Sequence, residues 1–202
     1  MEKMRVRLTF KEQVLGTASA NPELHREYIA SKSPDAATIE DEVAAIGVDA
    51  AEEKAMTVFP RENGRPFLYD YQIKGFFKNA CKAMRDVKKS ASSEIKAYKT
   101  KIDNLIFILD RKILFENPDG GDVEIGNLQR PLRASTAQGE RIALANSESV
   151  PAGTEVEFTI GLLVPEYRAQ VEEWLDYGEL NGIGQWHNSG CGRFTWKEVA
   201  ME

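Results

Sequence analysis

The sequence predicts an α+β fold, an antiparallel sheet with two amphipathic helices on one face, and three observations predict it. Strand-period segments open and fill the chain. Val6, Leu8 and Phe10 alternate with Arg5, Arg7 and Thr9, and Val156, Phe158, Ile160, Leu162 and Val164 alternate near the other end. Two helix-period stripes lie between and after them. Ile73, Phe76, Phe77, Ala80, Cys81 and Met84 form one, and Tyr167, Val171, Trp174 and Leu175 the other. The third observation is a run of glycines, Gly182, Gly184, Gly190 and Gly192, between the second helix and a closing strand.

Taken in order, the first element is a half-buried strand over Met4–Phe10. "NPEL" provides an N-cap and a proline at the first helical position for a short helix over Asn21–Ala30. Residues 31–57 read as an exposed acidic insertion, rich in Ala, Ser, Asp and Glu and poor in large apolar groups. "TVFPRENGRPFLYDY" holds two prolines and an Asn-Gly, so it is a loop or short hairpin leading to the first helix, with Asp70 as N-cap. Gly75 is a poor helix former, and close packing against it would explain its presence.

Lys88–Lys101 reads as a polar linker. "LIFIL" (Leu105–Leu109) and "KILFE" (Lys112–Glu116) read as strands, and "NPDGGD" (Asn117–Asp122) as a hairpin turn. Between Val123 and Ala145 the sequence predicts a strand, a long excursion around "RPLRASTAQGER", and a strand through Ile142 and Leu144. "VPAG" is a turn, Pro165 starts the second helix, and Gly178 or Gly182 stops it. "RFTW" (Arg193–Trp196) opens the last strand, with Phe194 and Trp196 expected in the core. Reduced to essentials this is βαββαβ, a ferredoxin-like (RRM-like) plan in a single domain over residues 1–202 with an inserted acidic segment.

Composition narrows the function. With 202 residues, 42% hydrophobic and 29% charged, the chain is long enough for one adequate core. No apolar run approaches about 18 residues and the N-terminus lacks signal-peptide character, so no membrane span and a cytoplasmic location are expected. Cys81 and Cys191 match no metal spacing and are expected as free thiols. Neither a metal nor a cofactor is expected: no zinc, nucleophile or phosphate-loop signature is present. The glycine run follows a helix and precedes a strand, the reverse of a dinucleotide-binding fingerprint.

Net charge is −6, yet the charges are segregated. All seven charges between Asp35 and Glu53 are acidic, whereas Lys74–Lys101 carries nine basic residues against Asp86 and Glu94. Lys74, Lys78, Lys82 and Arg85 recur on one helix face, either as a solvated surface or as a row of phosphate contacts. Arg130, Arg133, Gln138 and Arg141 cluster in the expected excursion, where they serve solubility or clamp an anionic partner.

The glycine run has two readings. It forms a tight crossing over the first strand, with Trp186 in the core; or Gly182, Gly184, Gly190 and Gly192 present amides to a phosphate. In the second reading Gln185, Asn188 and Ser189 add donors, Trp186 or His187 stacks on a base, and Arg193 pairs with phosphate. His187 and His25 are the weak candidates for acid–base catalysis, and neither has a visible partner constellation.

Three stretches in order, Gln72-Ile73-Lys74-Gly75-Phe76-Phe77, Pro151-Ala152-Gly153-Thr154, and Gly182 through Arg193, resemble the RAMP superfamily. That family comprises ferredoxin-like subunits of CRISPR effector complexes and of CRISPR RNA processing. Its members carry an "IPGSSLKGALR"-like helix start, a "PAGT.F" strand start and a "GG.RSRG.GR" terminal loop. The likeness covers residues 58–84 and 148–196 together with the first strand. Here Gln185, Trp186, His187 and Asn188 stand where the family has a basic pair, and the acidic insertion is not a family feature.

The resemblance implies a non-enzymatic protein that binds single-stranded RNA, or DNA, and works in a ribonucleoprotein or a homo-oligomer. A single domain of this kind also looks like phage and prophage proteins. Alternatives follow: a phage-encoded module that inhibits a host-defence complex through the acidic segment, a pocket that sequesters a small nucleotide signal, and a metal-free ribonuclease.

Overall fold

The computed structural model describes residues 1–19, 56–136 and 139–201, and within these it describes residues 131–136 and 139–144 by backbone alone. In chain order, β1 (Glu2–Phe10), β2 (Val14–Leu15) and β3 (Ala18–Ser19) come first. Then β4 (Met56–Val58), β5 (Arg61–Glu62) and β6 (Arg65–Tyr69) lead into α1 (Asp70–Met84). Helix α2 (Tyr98–Leu105) runs directly into β7 (Ile106–Ile108), followed by β8 (Lys112–Glu116), β9 (Gly126–Thr136), β10 (Gly139–Val150) and β11 (Glu155–Leu162). A 3₁₀ turn at Pro165–Tyr167 enters α3 (Arg168–Tyr177), a second lies at His187–Ser189, and β12 (Phe194–Glu198) comes last.

The larger sheet runs β12-β1-β11-β8-β6-β5, with β7 also paired to β11. Its pairings are antiparallel: Val6 faces Phe158, Leu8 faces both Val156 and Trp196, and Phe10 faces Phe194. The pleat decides which face is buried. Met4, Val6, Leu8 and Phe10 are buried, while Arg5 and Arg7 point the other way and pair with Glu155, Glu157 and Asp110. The buried face meets the apolar stripes of both long helices. Ile73, Phe76 and Phe77 of α1 and Val171, Trp174 and Leu175 of α3 share one core cluster with β1 and β11. Each fully buried large side chain contributes about 1.5–3 kcal/mol. A second sheet runs β2-β10-β4-β3 with β9 on β10, and its β10–β4 pair is parallel.

Among the described residues the fold is therefore α+β, with largely antiparallel sheets and three α-helices. Phe194 is fully buried as expected; Trp196 is only partly buried, and its indole N–H donates to Asp176 at 2.7 Å. Cys81 and Cys191 are free and buried, and burial pushes both thiols up. No helix among the described residues is long and apolar enough to cross a membrane.

Several local expectations give way. Tyr69, not Asp70, caps α1, and Gln72 reaches back so that its Oε1 accepts from the Tyr69 amide at 2.7 Å. Nothing packs on Gly75: the space where a Cβ would stand is open within 4 Å. The supposed linker ends in helix α2, which buries Ile102 alone and has no capping side chain, so its signal is weak. The Asn117 turn forms, with the Gly120 amide donating to Asn117 O at 2.8 Å, but β8 then pairs with β6 and β11 rather than with the next strand. Burial of Ile113 and Phe115 decides that pairing over local turn chemistry. The expected excursion is instead a long hairpin, β9 on β10, in register from Thr136–Gly139 to Gly126–Ser149. Of the acidic insertion expected over residues 31–57, Met56 and Thr57 belong to β4. Residues 31–55 and the expected helix over 21–30 lie outside the described residues.

Candidate nucleic-acid interface

The glycine run crosses itself at its ends. The Ile183 amide donates to Gly192 O at 3.0 Å, and the Gly192 amide donates to Gln13 O at 2.8 Å, tying the run to the segment after β1. A Cβ on Gly182 would lie 2.1 Å from the Gly192 carbonyl carbon, and one on Gly192, at φ +70, would lie 1.9 Å from Ile183 O. These two glycines are thus required by close approach. The Ser189 and Gly190 amides donate to Trp186 O and His187 O, both at 2.9 Å. An open ribbon of amides is therefore not what forms: at Ser189, Gly190 and Gly192 the N–H groups have protein partners. The exposed part of the loop is its side chains. Trp186, in a left-handed conformation at φ 58, is 40% exposed, and Asn188 and Ser189 are exposed too.

Under the loop lies Arg130, on β9. It is only 7% exposed. Its guanidinium stands 4.6 Å from the centre of the Trp186 ring, and Nη2 donates to Gln185 Oε1 at 3.1 Å. Among the described residues its Nε and Nη1 have no hydrogen-bond partner and no carboxylate pairs with it. A buried guanidinium with two unmet donors costs stability. Both nitrogens are closed to solvent here, with the Trp186 ring over the guanidinium.

On another side of the loop, against α1, is a cavity of about 320 Å³ whose lining includes Tyr71, Gln72, Gly75, Asn79, Gly184 and His187. Among the described residues no Asp, Glu, Lys or Arg lines it. The Gln72 amide nitrogen donates to Thr17 Oγ1 at 2.6 Å, which fixes that wall. His187 Nδ1 donates to Gly184 O at 3.1 Å, which leaves Nε2 to a further partner.

The lysine row does not share this site. The Lys78 ammonium pairs with Asp103 at 2.6 Å, the Lys74 ammonium donates to Asp103 O at 3.2 Å and lies 4.8 Å from the Phe107 ring, and Arg85 lies over Tyr98. These contacts turn the row toward α2 and β7, while Gly75 and Asn79 face the glycine loop. Burial lowers the Lys74 ammonium, against the pull of Asp103 and Asp70. Lys82 is exposed. Arg193 donates to Glu12 at 3.0 Å and to Gly190 O at 3.2 Å, so it already has an anionic partner. Arg133 and Arg141 stand on β9 and β10, and their side chains, with Gln138 and His25, lie outside the described residues.

Sequence reasoning missed Tyr71, Gln72 and Asn79. The signal was present in "YDYQ", an aromatic pair straddling a helix start, and in the i, i+3, i+7 spacing of Gln72, Gly75 and Asn79. Tyr69 and Tyr71 stack at 5.2 Å, with Arg111 over both rings at 4.9 and 5.5 Å.

With this geometry in view, the chain is similar to three solved structures. One is a chain of the type III-B Cmr-beta complex bound to cognate target RNA: TM-score 0.52, 8% identity, all of this chain matched to 60% of that one. Another is from a type IV-B CRISPR complex: TM-score 0.51, 12% identity, 99% of this chain and 91% of that chain. The third is Cmr6 from Pyrococcus furiosus: TM-score 0.51, 7% identity, 96% and 97%. The chain thus spans 60% of the Cmr-beta chain it matches. No family model and no curated protein matches the sequence. At these identities the likeness shows a fold shared with RAMP-type CRISPR proteins.

Proposed function

We propose that the protein binds single-stranded nucleic acid, RNA foremost, without cleaving it, and that the strand's phosphates lie along the side of the glycine loop that holds Arg130. The observation that carries this reading is the buried, carboxylate-free guanidinium of Arg130, stacked on the exposed Trp186 of that loop. Trp186, turned off the guanidinium onto a base, would open Nε and Nη1 to phosphate oxygens, each nitrogen on its own edge of the group and so meeting a separate oxygen.

The order of strands supports it. The last strand pairs with the first, the first with β11, and β11 with β7, with α1 after the first strand and α3 before the last. These pairings agree with the ferredoxin-like plan expected from the sequence, with β8, β6 and β5 as additions to it. Two of the three neighbours described come from complexes, one of them bound to RNA, which favours work within an assembly.

Arg130→Met tests the reading. It removes a buried charge with unmet donors, so the thermal midpoint holds or rises. Affinity for a labelled single-stranded RNA, read by fluorescence anisotropy, falls about ten-fold or more, as expected for losing a charged hydrogen-bond pair. Unchanged affinity would remove Arg130 from the interface.

A further inference from the structure

We propose that the cavity between α1 and the glycine loop is a pocket for one nucleobase, a site for the base itself rather than for phosphate. For a base carried on a strand this rests on the nucleic-acid reading above; for a free nucleotide it does not. Three observations lead to it. Among the described residues the lining holds no formal charge, so a phosphate would gain little from them, while a flat neutral heterocycle with donors and acceptors would fit. The volume, about 320 Å³, is at the small end of the range for organic ligands.

The walls supply what a base needs. Tyr71, stacked with Tyr69 and with Arg111 over its ring, makes one wall aromatic. Asn79, exposed on α1, carries both a donor and an acceptor. His187, its Nδ1 donating to Gly184 O, presents Nε2 as a further polar atom. Donor and acceptor edges together match the pairing edge of a base.

The third observation is Gly75. Within the helix a glycine costs about 1 kcal/mol relative to alanine. Beyond its own helix backbone and chain neighbours, no atom of the described residues lies within 4 Å of its missing Cβ, so packing among them does not ask for a glycine. It lines the cavity, and the room its absent side chain leaves is room for an occupant.

The test uses the full chain with three probes: a short oligoadenylate, the same oligomer with abasic ribose units, and adenosine monophosphate. Wild type is expected to bind oligoadenylate about ten-fold more tightly than the abasic oligomer, the size of one base–aromatic stack. Gly75→Leu, which fills the cavity, brings that ratio near one. Asn79→Ala, at an exposed position, lowers it as well and serves if the leucine variant does not fold. Monophosphate binding as tight as the oligomer's, and lost in Gly75→Leu, supports the pocket with a free nucleotide as its source. A wild-type ratio of one overturns the pocket while leaving strand binding intact. Failure of all three probes overturns both.

Discussion

Ser92 shows how much one hydroxyl can hold. It is fully buried, accepts from the Trp174 indole at 2.8 Å, and donates to Glu173 at 2.5 Å. The same carboxylate accepts from the Ala91 and Ser92 amides at 2.7 and 3.1 Å, so it anchors the turns between α1 and α2 onto α3. Ser92→Ala leaves the buried indole N–H without its acceptor. We expect a loss of about 1–3 kcal/mol in denaturant unfolding, with affinity for single-stranded RNA unchanged because the site lies elsewhere. At this scale Arg130 is the contrast. Its partners are an amide oxygen and a ring, and its stability cost has no structural return among the described residues. Its basic character was legible in the sequence; its burial beneath Trp186 was not, because burial there depends on the β9–β10 pairing.

At the scale of elements, two glycines make opposite predictions. Gly192 sits at φ +70 with Ile183 O where a Cβ would go, so Gly192→Ala adds about 1–3 kcal/mol of backbone strain to a steric clash and should lower the thermal midpoint. Gly75 has an ordinary helical backbone and open space, so Gly75→Ala should raise stability by about 1 kcal/mol. A rise in midpoint for Gly192→Ala would contradict the crossing.

The apolar periods of β1, α1, β11 and α3 were readable because each buries one clean face. Helix α2 was not, since it buries only Ile102 and sets Tyr98 at the margin of the core. The hairpin β9–β10 was hidden by a Pro-, Arg- and Gly-bearing stretch, and its partner strands β2 and β4 are only two and three residues long. The lysine row was correct as a stripe, but a stripe does not say which neighbour it meets; Asp103 on α2 decided that.

For the whole molecule, the sequence motifs at the start of α1, before β11 and in the glycine loop pointed to the fold that the structural neighbours share. A chain with net charge −6 that binds a polyanion must do so at a local site. Binding should therefore weaken as salt rises, with a shallow slope set by the few cations at the loop rather than by the whole lysine row. Alanine replacement of Lys78, which breaks its pair with Asp103, should leave that slope unchanged; a marked change would return the row to the interface. The position of the strand itself is open to a direct reading. A thiouridine-bearing single-stranded RNA, crosslinked by ultraviolet light and mapped by peptide mass spectrometry, should mark Gly182–Arg193 and the stretch of β9 around Arg130, whereas adducts confined to the Arg5–Arg7 face of the large sheet, or none at all, would contradict the account.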